Sequence, residues 1–240
     1  MGTYKCVFSF YGGKSKLSHL YPPPEHAQII EPFAGGAGYA LRHYDCAVHL
    51  TELDDRVVSI WQWLLSPEIR SWVTQIPATM PVGAKISESF PNGSVPPGMI
   101  EYLRSECNHG TQGARGVHDQ VTTLGSNGWP RIRPRLEYWL PRIRHWTIRH
   151  GSYETVGNRR ATWFLDPPYQ NPAGARYRQA QINYPALARW ARSRMGQVIV
   201  CENQGATWLP FEPLVTRRGI QSRYQVSQAV EVMWTRGQDE

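Results

Sequence analysis

The sequence contains few cysteines and no long apolar run. Its four cysteines, Cys6, Cys46, Cys107 and Cys201, are scattered without paired spacing, which argues against a disulfide framework and against a zinc site. No apolar run approaches the roughly 20 residues of a membrane span, and the first residues lack the apolar core of a signal peptide. We therefore expect a soluble cytoplasmic protein that has no membrane partner and needs no metal.

Lysine is also scarce, because arginine supplies 22 of the 26 basic residues. The formal net charge of +7 at pH 7 favours a polyanionic partner but says nothing about the fold. A GC-rich genome, which encodes arginine readily, accounts for the larger part of this bias. The functional alternative is that guanidinium groups match phosphates and base edges, which suits a nucleic-acid partner. At 240 residues the chain is long enough for one domain that carries a large insertion.

The most informative stretch is an apolar segment, residues 161–165, that ends at Asp166, Pro167, Pro168 and Tyr169. β-Branched and aromatic residues fit a strand that is covered on both faces of a parallel sheet, and two prolines forbid further pairing. Ligands of open α/β sheets bind beyond the carboxyl ends of the strands. We therefore predict a buried strand that presents Asp166 and Tyr169 to a ligand; the alternative is a rigid turn without chemistry.

These four residues suit an amino group on a planar base. The Asp166 carboxylate and the Pro167 carbonyl accept hydrogen bonds, and the Tyr169 ring offers a flat face for stacking. The exocyclic amine of adenine or cytosine is a poor nucleophile, because its lone pair is delocalised into the ring. Two acceptors that bind its N–H groups draw the nitrogen toward tetrahedral geometry and free the lone pair for attack.

A glycine-rich segment near the N-terminus places Phe10 and Tyr11 before Gly12, Gly13 and Lys14. Glycines let the backbone approach a ligand closely while an aromatic ring covers it. The spacing lacks a Walker A pattern, so a triphosphate site is not expected. The alternative is a surface turn with a solvated lysine.

A second glycine-rich turn, residues 32–38, follows a predicted strand at residues 28–31 and precedes a helix from about Tyr39. Strand, glycine-rich turn and helix are the common start of a nucleoside or dinucleotide site. The dehydrogenase fingerprint Gly-x-Gly-x-x-Gly is absent, so a NAD-dependent dehydrogenase matches the predicted fold but not the glycine spacing.

An acid ends the next predicted strand, residues 47–51, about twenty residues after the glycine-rich turn. This position, Glu52, is where nucleoside-binding folds grip ribose hydroxyls. Asp54 and Asp55 are better explained as N-terminal acids of a helix at residues 56–65, because the helix dipole favours negative charge there.

Segment 66–145 differs in character, with short helical patches between proline-rich and glycine-rich loops. Residues 77–97 contain five prolines, which predicts neither a helix nor a central strand. Residues 98–107 fit one short helix, and residues 125–130 fit a turn-rich loop that exposes Trp129.

Five arginines and one acid lie between residues 131 and 145. Such charge beside aromatic side chains is typical of nucleic-acid contact; the alternative is an ordinary amphipathic helix. Residues 170–182 are polar and suit a mobile lid over flipped DNA. The residues predicted to contact nucleic acid are Trp129, Arg131, Arg133, Arg135, Arg142, Arg144, Arg176 and Arg178.

Asp166-Pro167-Pro168-Tyr169 resembles the catalytic motif of amino-group DNA methyltransferases, and Asp in first place resembles the adenine-N6 enzymes. The aromatic-x-Gly-Gly-Lys motif ending at Lys14 and the Glu-Pro-Phe-x-Gly motif starting at Glu31 resemble those of Dam-like, or D12 class, enzymes of phage or prophage type. All three motifs occur in the order that the family requires. One departure is Ala37, which stands at the family's second spaced glycine. The resemblance covers residues 4–169 well, apart from segment 66–145.

The resemblance implies S-adenosylmethionine as the cofactor, with Glu52 at its ribose and Tyr153 beside its adenine. It also implies a Tyr169 ring that stacks on a flipped base, an amine held by Asp166 and Pro167, and a cytoplasmic location in the host cell if a phage encodes the protein. The predicted catalytic residues are Asp166, Pro167, Pro168 and Tyr169. The predicted cofactor-binding residues are Phe10, Tyr11, Gly13, Lys14, Glu31, Pro32, Phe33, Gly35, Gly36, Glu52, Tyr153 and Asp166.

The sequence thus predicts a Rossmann-like α/β methyltransferase fold that depends on S-adenosylmethionine. Residues 1–65 and 146–240 form its catalytic domain, and residues 66–145 form a mostly helical and loop insertion for target recognition. The expected reaction methylates the N6 amine of adenine in double-stranded DNA by base flipping. The alternatives are methylation of RNA adenine or of cytosine N4 in DNA, and a non-catalytic DNA-binding module with a decayed methyltransferase fold.

Overall fold

The computed structural model describes residues 4–91, 93–107, 119–172, 174–222 and 225–237. The strands in these ranges are β1 (Gln28–Glu31), β2 (Ala47–Glu52), β3 (Thr147–His150), β4 (Thr162–Leu165), β5 (Val198–Asn203), β6 (Glu212–Ser222) and β7 (Gln225–Arg236). They form one mixed sheet in the order β3-β2-β1-β4-β5-β7-β6. The first five strands of this order, β3, β2, β1, β4 and β5, run parallel to one another. Strand β7 pairs antiparallel with β5 and β6.

The α-helices of the described residues are α1 (Asp55–Leu64), α2 (Ile69–Val73), α3 (Ile86–Ser89), α4 (Pro97–Glu106), α5 (Thr123–Gly128), α6 (Ile132–Ile143) and α7 (Tyr184–Arg192). None of these helices is long and apolar enough to cross a membrane. Helix α1 begins after Asp54, whose side chain accepts a hydrogen bond from the Arg56 backbone N–H at 3.1 Å. The predicted role of this acid at the helix N-terminus is confirmed.

The central strands are buried on both faces. Ile29 and Ile30 of β1 and Trp163 and Phe164 of β4 have at most 1% of their surface exposed, as expected for parallel strands covered by helices. Strand β4 ends one residue before Asp166, as predicted. The arrangement is compatible with a Rossmann-like fold. In such a fold the strand order runs from β1 to β2 on one side and from β1 to β4 on the other, and a crevice opens there at the carboxyl ends of the strands.

Segment 66–145 shares its core with the N-terminal part of the chain. Tyr102 of α4 and Trp139 of α6 are buried in the same apolar cluster as Phe8 and Trp61 of α1. Helix α4 lies so close to α1 that a Cβ added at Gly98 would meet the Ser59 carbonyl oxygen at 2.0 Å. Segment 66–145, predicted as an insertion, therefore shares one hydrophobic core with the N-terminal part of the chain.

Two expectations about this segment are wrong. Residues 77–97 do contain a helix, the single turn α3, because residues 82–90 are free of proline and Asp119 accepts hydrogen bonds from the Ser87 side chain and its backbone N–H. Residues 125–130 are not an exposed loop, since α5 is capped by the Thr122 hydroxyl. Trp129 is 1% exposed, and its indole N–H donates to the Pro77 carbonyl at 3.0 Å.

The helix predicted from about Tyr39 is only a short 3-10 helix, Ala40–His43, because the chain enters β2 at Ala47. The glycine-rich turn before it forms as expected. Ala37 adopts a left-handed conformation with φ +48°, which an alanine tolerates at a cost of about 1–2 kcal/mol.

The glycine-rich turn packs directly on the N-terminal segment at Gly38. A Cβ at this position would lie 2.5 Å from the Ser15 backbone nitrogen and 2.8 Å from the Lys14 carbonyl carbon. Backbone atoms cannot move aside as a flexible side chain does. Gly38 therefore sets how closely the two glycine-rich segments approach each other.

We expect Gly38→Ala to lower the free energy of unfolding by about 1–3 kcal/mol, because overpacking forces the backbone apart. Urea denaturation measures the change. Gly157→Ala is the matched control, since Gly157 is exposed and a Cβ there meets nothing within 4 Å. Equal stability of the two variants would contradict the tight contact at Gly38.

Candidate active site

A cavity of about 360 Å³ lies at the carboxyl ends of β1, β2 and β4. Parallel strands end at the same edge of a sheet, so the segments that follow them meet here. All the residues predicted to bind the cofactor line this cavity, namely Phe10, Tyr11, Gly13, Lys14, Glu31, Pro32, Phe33, Gly35, Gly36, Glu52, Tyr153 and Asp166. Of the remaining predicted catalytic residues, Pro168 lines it as well, and Pro167 is buried beside it.

A buried ion pair joins the N-terminal segment to the end of β4. The Lys14 Nζ lies 2.6 Å from Oδ1 and 2.8 Å from Oδ2 of Asp166, and it donates to the Gly12 carbonyl at 3.1 Å. Lys14 is 5% exposed, so the alternative of a solvated lysine on a surface turn is wrong. The ion pair places the lysine of one motif against the acid of the other.

Each charge of this pair stabilises the charged form of its partner. Burial lowers the pKa of Lys14, but the negative charges of Asp166 and Glu231 outweigh this effect and raise that pKa above its ordinary value of 10.5. Burial raises the pKa of the Asp166 carboxyl, and the Lys14 ammonium opposes that shift. Lys14 is therefore a permanent cation at neutral pH beside an acid that would otherwise be costly to ionise.

Tyr169 is held at both its ring and its hydroxyl. Its hydroxyl donates to Oε1 of Glu231 on β7, an atom that also accepts from the Tyr21 hydroxyl at 2.9 Å. The Lys14 Nζ lies 4.8 Å from the centroid of the Tyr169 ring, within the range of a cation–π contact. The same ammonium is 3.8 Å from Glu231. Tyr169 therefore has a fixed orientation, with a cation over one face.

The backbone of the motif is also fastened. The Tyr184 hydroxyl at the start of α7 donates to the Pro168 carbonyl at 2.9 Å. Glu202, near the end of β5, is fully buried and accepts from the Gln170 backbone N–H at 3.1 Å and from the Trp208 indole at 3.1 Å. Burial raises the pKa of Glu202, which these hydrogen bonds oppose. Adjacent strands and helices thus hold the loop that follows β4.

Glu52 organises the turn after β1. Its Oε2 accepts from the Gly35 backbone N–H at 2.9 Å, and its Oε1 accepts from the backbone N–H groups of Leu53 at 2.8 Å and Asp54 at 2.9 Å. Burial raises the pKa of this carboxyl, and the backbone hydrogen bonds oppose the shift. A carboxylate has about four acceptor positions, so Glu52 keeps a position on Oε2 for a hydroxyl in the cavity.

A second buried acid and an aromatic pair complete this side of the cavity. Glu31 is 2% exposed and accepts from the Ala40 backbone N–H at 2.7 Å. Burial raises the pKa of Glu31 to about 8. The rings of Phe33 and Tyr153 lie 5.4 Å apart with an interplanar angle of 30°. These two rings give the cavity an apolar wall.

The predicted lid, residues 170–182, contributes five residues to the cavity lining, namely Tyr177, Arg178, Gln179, Gln181 and Ile182. The Tyr177 hydroxyl donates to the Tyr11 carbonyl at 3.1 Å, and a Cβ at Gly12 would lie 2.0 Å from this hydroxyl. Arg178 forms ion pairs with Asp54 at 3.2 Å and with Asp55 at 3.0 Å. The carboxylates of Asp54, the N-cap of α1, and of Asp55, its first residue, thus hold the Arg178 guanidinium, and its contact with nucleic acid stays a prediction. The side chain of Arg176 lies outside the described residues.

The arginines of segment 131–145 fall into different environments. Arg135 is 8% exposed and pairs with the buried Glu106 at 2.9 Å, so its predicted contact with nucleic acid is wrong. Arg133 donates to the Thr74 carbonyl at 2.7 Å, and Arg142 stacks 3.9 Å from the centroid of the Tyr138 ring. Arg131 and Arg144 are exposed.

Sequence patterns missed several residues of the site. Glu231, Glu202 and Tyr184 belong to no motif, and their contacts join positions that are distant in the sequence. Tyr177 lies in a polar segment without periodicity. Helix α4 of segment 66–145 also lines the cavity, through Glu101, Arg104 and Ser105. A helix start at Pro97 is readable in the sequence, but its position beside the cavity is not.

Comparison with known proteins adds little. No family model matches the chain, and no curated protein matches it. Among solved structures, the chain is similar to a conserved hypothetical protein from Streptococcus pyogenes, with 13% sequence identity, a TM-score of 0.32, and coverage of 86% of this chain and 84% of that chain. A likeness this weak supports no argument. Among the described residues, no group of three or more His, Cys, Asp or Glu side chains is arranged to hold a metal ion.

We expect Lys14→Met to lower the free energy of unfolding by about 3–5 kcal/mol at neutral pH, because it leaves Asp166 buried without its partner. Burial already raises the folded-state pKa of Asp166 above the ordinary value of 3.8, and loss of the opposing Lys14 charge raises it further. The variant therefore loses more stability than the wild type as the pH rises through that pKa. Urea denaturation at about pH 5 and about pH 8 measures both effects.

The matched control is Lys16→Met, because Lys16 is exposed on the same short helix. A stability of Lys14→Met within about 1 kcal/mol of the control at the higher pH would contradict a strong pairing of Lys14 with Asp166.

Proposed function

We propose that this protein is an S-adenosylmethionine-dependent methyltransferase that acts on the N6 amine of adenine in double-stranded DNA. The observation that carries the proposal is the ion pair of Lys14 with Asp166, which lies in the same cavity as the glycine-rich turn and Glu52. A hydrogen-bond acceptor for an amine and a set of groups suited to a nucleoside thus share one cavity. The antiparallel β5-β7-β6 edge agrees with the fold that the sequence resemblance implies.

The cavity fits the cofactor by its chemistry. Glu52 keeps an acceptor position for a ribose hydroxyl, and Phe33 and Tyr153 supply an apolar wall for a planar base. The backbone at Gly35 and Gly36 lies within contact distance of the Phe10 ring without side chains between them. When bound, S-adenosylmethionine supplies an electrophilic methyl group on a positively charged sulfur.

The residues after β4 receive the target base. Asp166 and the Pro167 carbonyl would accept hydrogen bonds from the exocyclic amine and so localise its lone pair. When the nitrogen attacks the methyl group, the carbon–sulfur bond would break with its electron pair left on sulfur, and the methylated amine would then lose a proton to water. The Tyr169 ring, which has the Lys14 ammonium over one face, supplies the flat surface on which the base stacks. Positioning of this kind supplies most of the catalysis.

The target amine is buried in a stacked duplex, so adenine must flip out to reach this cavity. The exposed guanidinium groups of Arg131 and Arg144 and the net charge of +7 favour binding of a phosphate backbone. These two residues flank α6, the helix on which Arg135 pairs with Glu106.

The direct test incubates the protein with methyl-labelled S-adenosylmethionine and either genomic DNA or total RNA, followed by identification of the modified nucleoside. Label recovered in N6-methyl-2′-deoxyadenosine supports the proposal. Label in N4-methylcytosine or in RNA identifies a different target of the same chemistry. No transfer to any nucleic acid, from protein that binds the cofactor, overturns the proposed reaction.

We expect Asp166→Asn to reduce the methyl-transfer rate by more than tenfold, at least about 1.4 kcal/mol in activation free energy, with cofactor binding largely retained. The amide removes the negative charge and one acceptor oxygen but keeps the shape of the side chain. Asp45→Asn, at an exposed position, is the control. Turnover of Asp166→Asn above a tenth of the wild-type rate would show that Asp166 does not hold the amine.

We expect Glu52→Gln to weaken S-adenosylmethionine binding by roughly one to two orders of magnitude, because hydrogen bonds to a charged acceptor contribute about 1.5–3 kcal/mol. Calorimetry measures the dissociation constant, and Glu68→Gln on the exposed surface serves as the control. An unchanged dissociation constant would remove Glu52 from the cofactor site.

We expect Arg131→Ala and Arg144→Ala each to reduce the slope of log affinity for DNA against log salt concentration by roughly 0.9, the value of one lost phosphate contact. Titrations of one duplex at several salt concentrations measure the slope. Arg42→Ala is the control, since Arg42 is exposed outside segment 66–145. Slopes equal to that of the control would place DNA binding on another surface.

A further inference from the structure

Three side chains of segment 66–145 hold the backbone that leads into the N-terminal glycine-rich segment. The Trp139 indole donates to the Cys6 carbonyl at 3.1 Å, and the Tyr102 hydroxyl donates to the Val7 carbonyl at 3.1 Å. The Ser9 backbone N–H donates to Oε1 of Glu106 at 2.8 Å. Helices α4 and α6 thus satisfy backbone groups that the sheet does not reach.

Glu106 is the only charged group among these three. It is 2% exposed, and its carboxylate also accepts from the Ser9 hydroxyl at 3.3 Å and pairs with Arg135 at 2.9 Å. Arg135 in turn donates to the Tyr102 hydroxyl at 2.9 Å. Removing two charges from water costs several kcal/mol for each ion, and well-packed apolar residues in their place are often as stable. The pair is thus poorly explained by stability alone.

An apolar pair cannot supply the acceptor that Glu106 offers to Ser9. Ser9 is followed directly by Phe10, whose ring lies against the glycine-rich turn: a Cβ at Gly35 would be 2.7 Å from the Phe10 Cε1, and a Cβ at Gly36 would be 3.2 Å from the Phe10 Cβ. The same segment then continues to Lys14. The position of Ser9 therefore fixes where the aromatic ring enters the cavity.

We propose that Glu106 is a positioning residue that orders Ser9 and Phe10 for cofactor binding, and that Arg135 holds its carboxylate in place. This role belongs to segment 66–145, in addition to any contact that segment makes with DNA. Its effect on affinity rests on the proposed function, because the ligand of the cavity is taken to be S-adenosylmethionine. Glu101, Arg104 and Ser105, which precede Glu106 on α4, line the same cavity.

Two double variants separate positioning from stability. Glu106→Leu/Arg135→Met replaces the ion pair with apolar side chains and removes the acceptor for Ser9. Glu106→Gln/Arg135→Met also removes both charges, but its amide oxygen still accepts from the Ser9 N–H. Urea denaturation establishes that each variant is folded, and both lack the same guanidinium. The two variants then differ only at residue 106, where Gln keeps an acceptor for Ser9 and Leu does not.

Hydrogen exchange of the backbone amides from Ser9 to Lys14, without ligand, tests positioning independently of function. We expect exchange to be at least about tenfold faster in the Leu variant than in the Gln variant, with the amides of β1 unchanged, because local opening reports the lost hydrogen bond. In the wild-type protein we expect the Ser9 amide to be protected. A Ser9 amide that exchanges in the wild type as fast as an exposed one overturns the proposal, whether or not the variants fold.

Calorimetry with S-adenosylmethionine then tests the consequence for binding. We expect the dissociation constant of the Leu variant to be about tenfold higher than that of the Gln variant, and the Gln variant to stay within about threefold of the wild type. Equal exchange and equal affinity in the two double variants overturn the positioning role. A wild-type protein that binds no S-adenosylmethionine refutes the proposed function instead, while the exchange comparison still decides the role of Glu106.

Discussion

The ion pair of Lys14 with Asp166 connects two segments that lie 152 positions apart in the chain. Bringing both charges out of water is costly, so the pair forms only where other groups stabilise it. The Gly12 carbonyl and Glu231 supply that support. The close approach at Gly38 brings the lysine to the end of β4. This contact fixes the N-terminal glycine-rich segment to the loop after β4, the two sides of the cavity that carry the predicted motifs.

The loop after β4 illustrates how a short motif is kept rigid by elements that carry none of its residues. Glu231 comes from an antiparallel strand, Glu202 from a parallel strand and Tyr184 from a helix, and each binds a different atom of the loop. A site held by neighbouring regular structure loses less conformational entropy when a ligand binds than one that must order itself. The two prolines restrict the same loop from within.

The strands around the cavity were predictable from the sequence, because apolar runs that end at prolines, glycines or acids define strand ends locally. The residues predicted to bind the cofactor also line the cavity, whereas Glu101, Arg104 and Ser105 of α4 were not predicted to do so. Partners that are distant in the sequence were not predictable. Glu231 follows Tyr169 by 62 positions and belongs to no motif. Composition likewise does not tell which face of a helix is exposed. Trp129 and Arg135 can be buried because the Pro77 carbonyl and the Glu106 carboxylate accept hydrogen bonds from their N–H groups. These contacts exist only in the folded chain.

The shared core of segment 66–145 limits how this protein can diversify. A recognition module that is joined to a catalytic core by loops alone can be exchanged between relatives as a unit. Here α4 both packs against α1 at Gly98 and contributes to the cavity wall, so replacing the segment would remove part of the site together with any specificity it carries. Changes to this segment that leave the cavity intact are therefore confined to substitutions on its exposed surface, such as the exposed face of α6.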